Sequence, residues 1–416
     1  MSVIKPFKAV RPEPGLVHKV AALPYDVMNS EEARVMVVGN PYSFLHIDKA
    51  EIDLPPETHL YDPKVYAKAR ENFLTAQKDK VFIEEDTQCL YIYAQTMNGR
   101  TQCGLVVCAS IDEYIEGKIK RHELTREEKE QDRIRHVDIL DANTGPIFLT
   151  YRNKKEISDV IANWKDNHKP VYDFVSDDGV GHIAWIIDDS AVIKKLQELF
   201  KEVPALYIAD GHHRNASAVK VGIMRREAKP GYSPDDEFNY YLSVLFPDSE
   251  LCIYDYNRVL KSLNGNTGES LLETLGKLFT VEKHNDAGAY KPQKIHEFGM
   301  YLDSCWYKLT AKPEIINESD PVAALDVSIL QKFVLEPVFG IDDPRTSKNI
   351  DFVGGIRGLK ELEKRVDSGE CAVAFSMYPT SVEQLMKIAD SGQIMPPKST
   401  WFEPKLRSGI FIHKLS

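Results

Sequence analysis

The stretch from Ala205 to Lys220, ALYIADGHHRNASAVK, decides how the rest of the chain is read. Ala205, Leu206, Tyr207, Ile208 and Ala209 make a short apolar run of strand character. Beyond the glycine come the small residues Ala216 and Ala218, with no breaker before Arg226, so a helix is expected there. Asp210, Gly211, His212, His213 and Arg214 therefore fall where a strand hands over to a helix. Such a junction leaves backbone N–H groups without intrahelical acceptors and turns the positive end of the helix toward the crevice. Gly211 permits a positive φ or close backbone approach. Arg214 suits forked contacts to phosphate or carboxylate oxygens, and the two histidines add donors near neutral pH. The pattern reads as an anion site; the plainer alternative is a polar turn in which Asp210 caps the helix. Metal binding by the adjacent histidines is disfavoured, because neighbours in sequence seldom share one ion and no third ligand stands at a diagnostic spacing.

Working outward, alternation and turn signals place further elements. A helix starts at Asp62 with Pro63 in its first position, and Tyr66, Ala69, Phe73 and Leu74 make its apolar face. Asn98-Gly99 separates two apolar runs and predicts a tight hairpin. Thr125 with Glu128 three residues on reads as a capping box for a helix from about 126 to 140. GPIFLTY is the next strand, a second hairpin turns around Asp177, Asp178 and Gly179, and a helix spans about 189–202. Further on, FNYYLSVLFPD and ELCIYDYNRVL read as two strands around a Pro-Asp turn, followed by a helix near 326–336 and alternating elements over 350–390. Strands and helices alternate irregularly, which predicts a mixed α/β (α+β) architecture rather than a regular doubly wound sheet. Two portions are expected: 1–230, holding the phosphate-binding core, and 231–416, either a separate α/β portion or part of one integrated domain.

Composition limits the function classes. Lysine and arginine number 52 against 63 acidic residues, a net charge of -11. A protein built mainly to grip a nucleic-acid backbone needs clustered basic residues, so no nucleic-acid partner is expected. No apolar run approaches the roughly 20 residues that span a bilayer, so no membrane partner is expected. The N-terminus MSVIKPFKAVRPEPG has no apolar signal core, and six scattered cysteines form no CxxC. A cytoplasmic protein with buried thiols is the resulting expectation.

Three further stretches carry polar chemistry. Arg121, His122 and Glu123 stand just before the helix that begins near 126, where Glu123 suits a general base or a holder of metal. The absence of a histidine four residues after His122 rejects a zincin motif; for Arg126 through Lys129 a solvated, salt-bridged helix face is the better reading. Met395-Pro396-Pro397-Lys398-Ser399-Thr400 lacks the glycines of a phosphate loop, although its prolines stiffen the segment around Lys398. Asp26, in Pro24-Tyr25-Asp26 after the strand-like HKVAAL, reads as a turn residue.

Taken in order, LPYDVM, IKRHELT…DR…NTGPIFL, ADGHHRNAS, LDVSILQ…LEPVFGI and MPPKSTWFEPKLRSG resemble a bacterial and archaeal family catalogued as domain of unknown function 1015. The DGHHR string is also similar to the phosphate-contacting motif of the ParB/sulfiredoxin superfamily. That superfamily includes CTP-hydrolysing partition proteins, ATP-using sulfiredoxins and free-serine kinases, and the string stands nearest the last. The resemblance implies a ParB/sulfiredoxin-like nucleotide-binding core with additional strands and helices. It further implies that Gly211, His212, His213 and Arg214 hold nucleotide phosphates; to these the sequence adds Arg121 and Lys398 as further cations. The cofactors it implies are ATP or ADP with Mg2+, and the acceptor is a free hydroxy amino acid such as L-serine. Asp210 and Glu123 are then the candidate metal holders and proton acceptors, with His122 beside them. Glu123 is assigned on its chemistry and not by correspondence. Arg133 and Lys405 are candidates for the substrate's carboxylate. The alternatives are a ParB-like nucleotide-binding regulator and a nucleotide or phosphoester hydrolase using His212.

Overall fold

Leu206–Asp210 is a strand of a nine-stranded sheet in the computed structural model, which describes residues 2–416. The strand order is Ile119–Lys120, Leu206–Asp210, Ile147–Tyr151, Tyr240–Pro247, Arg100–Ser110, Leu90–Met97, Gly181–Ile187 and Tyr172–Val175, with Ile4–Lys5 paired to Arg100–Ser110. Most neighbours are antiparallel. Two pairs are parallel: Leu206–Asp210 with Ile119–Lys120, and Tyr240–Pro247 with Ile147–Tyr151. Asn98 and Gly99 adopt φ of 52° and 75° and close the first hairpin, as their residue types demand. The second hairpin forms with Gly179 at φ 79°. The architecture is mixed α/β.

Helices Lys155–Asn167 and Ser190–Lys201 cover this sheet. They bury Ile157, Ile161 and Trp164, and Ile193, Leu196 and Phe200, in one cluster with Leu105, Val107, Leu149 and Ile208. Each such side chain contributes about 1.5–3 kcal/mol on burial. Gly104 marks the tightest approach within the sheet. A Cβ there would lie 2.6 Å from Val244 Cγ1 and 2.8 Å from the Phe246 ring. Gly104→Ala is accordingly expected to lower unfolding free energy by about 1–3 kcal/mol, read as an earlier urea midpoint.

The chain divides into two compact units, residues up to Leu251 together with Pro404–Ser416, and Cys252–Glu403. The sequence expectation put a boundary near 230. Residues 231–251 belong to the first unit because Tyr240–Pro247 is hydrogen bonded on both sides, to Arg100–Ser110 and to Ile147–Tyr151. The expected pair of strands around a Pro-Asp turn forms, but its members fall in different units. Its second member, Tyr256–Leu260, lies in the second unit between Ile350–Gly354 and Val373–Met377. That unit holds a six-stranded antiparallel sheet packed through Val259, Tyr301, Trp306 and Ala374 against Leu362 of helix Leu359–Asp367. The helix expected near 326–336 is Asp326–Leu330 followed by a wider π turn, Gln331–Leu335, and then Glu336–Phe339. Pro337 has no N–H for the regular ladder, which accounts for the irregularity.

Smaller expectations are also revised. Val17–Val20 is a helical turn and not part of a strand. In helix Pro63–Lys78, capped by Asp62, the residues Tyr66, Ala69 and Phe73 are buried, whereas Leu74 faces solvent. All six cysteines are free thiols, four of them buried. Among the described residues no helix is long and apolar enough to cross a membrane.

Candidate active site at the DGHHR turn

The end of strand Leu206–Asp210 is where sequence-distant residues meet. Its pairing with Ile147–Tyr151 slips between Ile208 and Asp210, a bulge that re-aims the last residue of the strand. Gly211 follows at φ 89°, a left-handed conformation that a side chain would strain, and helix His212–Ala228 starts at once. The intrahelical ladder begins with Asn215 N–H donating to Gly211 O, so the N–H groups of His212, His213 and Arg214 have no partner within the helix. On the other side, Ile119 and Lys120 pair in parallel with Leu206 and Tyr207. Arg121, His122 and Glu123 thus leave the sheet at the same carboxyl end as Asp210 and His212.

The convergence is close. The rings of His122 and His212 meet edge to face with centroids 4.5 Å apart. Glu123 Oε2 lies 3.8 Å from His212 Nδ1, and one ligand atom from each of His122, Glu123 and His212 falls within 4.8 Å of the others. His122 is 2% and His212 6% exposed, while the Glu123 side chain is 49% exposed. Both nitrogens of His122 and Nε2 of His212 lack a hydrogen bond of acceptable geometry. A buried nitrogen left without a hydrogen bond costs about 1–3 kcal/mol. Burial pushes His122 down to about 4, against weaker opposing effects of the Ile208 backbone and Asp210. Burial, and then His122, pushes His212 well below the ordinary value. Both imidazoles are neutral at pH 7.

The remaining expected residues divide into those that join this turn and those that do not. Arg214 folds back over Gly211: a Cβ on the glycine would lie 3.2 Å from its Nε. Its NH1 donates to Pro146 O at 2.6 Å, and its Nε is buried without a partner. His213 accepts the Arg126 N–H at Nε2, 2.9 Å. That bond takes the place of the expected Thr125–Glu128 capping box, since Thr125 Oγ1 donates instead to Glu130 and the helix runs Glu127–Leu140. Arg121 is exposed, and its charge reaches His212. Asp210 accepts the Gly211 N–H at 2.9 Å and the Lys405 ammonium at 3.1 Å. Burial would raise its carboxyl, yet Lys405 and then Arg214 hold it well below the carboxylate range. Lys405 thus engages Asp210, and Arg133 donates from Nε to Asp132 at 2.8 Å and lies over the Tyr25 ring at 4.0 Å. Lys398 belongs to the second unit, where its ammonium lies 5.5 Å from the Tyr256 ring centre.

A small cavity against Arg214 is lined by Tyr25, Asp48, His136, Thr144 and Gly145, together with Arg133; Asp48 is the one of these that sequence reasoning did not single out. The cavity volume of about 20 Å³ holds a water and no phosphate. The signal for this wall was Asn143-Thr144-Gly145-Pro146, small and polar just ahead of an apolar strand. On the Glu123 side of the turn stand Gly211 and the first N–H groups of the helix. The donors there, backbone N–H groups with Arg214 and Arg121, fit an anion. They do not make a magnesium cage: Mg2+ requires near-octahedral oxygen ligands, whereas the residues gathered beside Glu123 are imidazoles and Asp210 is matched by Lys405.

The family model described as protein of unknown function (DUF1015) matches residues 4–328. The chain belongs to this family. No curated protein matches the sequence. Among solved structures, this family member is similar to a conserved hypothetical protein from Pyrococcus furiosus at 17% identity, with 74% of this chain and 95% of that one covered and a TM-score of 0.36. A free serine kinase in complex with AMP gives 14% identity over 74% and 91% of the two chains, at a TM-score of 0.35. SbnI from Staphylococcus aureus, truncated at its C-terminus, gives 13% over 72% and 82%, also at 0.35.

Proposed function

We propose that the protein is a small-molecule kinase that moves a phosphoryl group from ATP or ADP to a free hydroxy amino acid, with L-serine as the first acceptor to test. The observation that carries this reading is the convergence at one helix end of Gly211 in a left-handed turn, Arg214 folded across it, and Glu123 delivered by the neighbouring parallel strand. Phosphoryl transfer asks a protein mainly for positioning and charge neutralisation. The N–H groups of His212, His213 and Arg214, the Arg214 guanidinium and Arg121 supply both for the phosphates. The acceptor hydroxyl oxygen bonds to phosphorus, the bond to the nucleotide's leaving phosphate oxygen breaks, and the hydroxyl proton passes to Glu123. Asp210 is the poorer acceptor, because Lys405 and the Gly211 N–H already stabilise its ionised form. Arg133 and Lys405 each engage an internal carboxylate and are assigned to positioning. Mg2+ belongs to this reading only as the counter-ion of the nucleotide.

The test is phosphorus NMR of the purified full chain with ATP or ADP, Mg2+ and a panel of hydroxy amino acids. A phosphomonoester product is expected with at least one acceptor, and its absence across the panel sinks the reading. Arg214→Ala is expected to weaken nucleotide binding by about 2 kcal/mol, the scale of a charge-assisted hydrogen bond, while the protein still unfolds cooperatively. If that variant does not fold, Arg214 is a structural residue that holds Pro146.

A further inference from the structure

We propose that His122, Glu123 and His212 form a binding site for a divalent transition-metal ion of the zinc and ferrous-iron class. Two imidazoles with one carboxylate are the donor set that such ions prefer over Mg2+ or Ca2+. Three independent features point to such an ion. The ligand atoms already lie within 4.8 Å of one another. Both histidines are more than nine-tenths buried, and three of their four ring nitrogens make no hydrogen bond of good geometry, the Ile208 backbone being the one polar group that approaches His122. The parallel pairing of Ile119–Lys120 with Leu206–Tyr207 fixes the segments that carry them side by side. Ligands about 2.1 Å from a tetrahedral ion stand about 3.4 Å apart, so the set closes by a small rotation, most simply at the exposed Glu123 side chain. With three protein ligands at least one coordination position stays open to water or substrate.

The site does not rest on the phosphotransfer reading, since it needs no nucleotide. Glu123 can serve both, because coordination through one oxygen leaves the other for a hydroxyl proton. The experiment uses the full chain stripped with a chelator and titrated with Co2+ in the absence of nucleotide, reading the visible d–d absorption. One equivalent of Co2+ is expected to give a strong band of low coordination number that Zn2+ displaces and Mg2+ does not. His122→Gln and His212→Gln are each expected to weaken binding by about tenfold or more. Glu123→Gln, which alters a half-exposed side chain and spares the core, is expected to do the same. A weak octahedral spectrum, or equal affinity in wild type and Glu123→Gln, overturns the proposal. Phosphorylated product without a cobalt band sinks the metal site and leaves the kinase; the band without product does the reverse.

Discussion

Glu123→Gln is expected to reduce phosphoryl-transfer turnover by about 10²- to 10⁴-fold, the usual contribution of a positioned general base, while nucleotide affinity by calorimetry stays near that of the unchanged protein. The split follows from where the residue sits. Glu123 lies half exposed at the rim of the turn, 3.8 Å from His212, and is not one of the N–H donors at the helix end. Glutamine keeps its size and removes only the basic oxygen. Turnover should be measured with Zn2+ or Fe2+ at saturation, so that a lost ion is not mistaken for a lost base. Asp210→Asn provides the contrast. It strips Lys405 of its partner, so its effect should fall on stability and binding as well as on rate. Unchanged turnover in Glu123→Gln would remove Glu123 from the chemistry and, with it, the proposed proton path.

The second large effect is acid sensitivity. His182 is 1% exposed, stacked on Phe174 with ring centroids 4.9 Å apart, and hydrogen bonded to Tyr93 at 2.8 Å and Ser176 at 2.9 Å. Burial, and then Arg407 beside it, pushes its pKa from 6.5 down to about 3, with Asp178 opposing only weakly. Between these values the unfolded chain binds a proton that the native state refuses, so stability present above pH 6.5 is withdrawn as the pH falls. By pH 5 this one residue removes about 2 kcal/mol. His136 and His413, also buried and lowered, act in the same direction. His46 and His296, raised by Asp53 and Asp326, oppose it, because a histidine with a raised pKa gains stability in acid. The melting temperature, taken in the presence of a chelator, is expected to fall from pH 7.5 to pH 5, with a shallower fall in His182→Gln. A flat profile in the native protein would mean that His182 takes up its proton while folded.

Much of the local structure was legible because it is set by residues close in sequence. Asn98-Gly99 specifies its own turn, Asp62-Pro63 its own helix start, and the apolar run before Asp210 its own strand. The Thr125 cap was not legible, since the competing partners, Glu130 on the next turn and His213 some 90 residues away, depend on packing. The same holds for the interval between Pro247 and Asp255. Local pattern reads two strands around a turn, whereas only long-range pairing assigns them to different sheets.

The candidate site divides along the same line. The residues themselves determine a strand-to-helix turn after Asp210, and the glycine, the unpaired helix N–H groups and the arginine that suit it to an anion are all local to it. Only the tertiary structure decides which histidines face each other. Adjacent His212 and His213 diverge, one buried against His122 and the other bonded to Arg126, because successive residues of a helix point about 100° apart. His122, remote in sequence, is brought in by a parallel strand pair whose register no local pattern encodes.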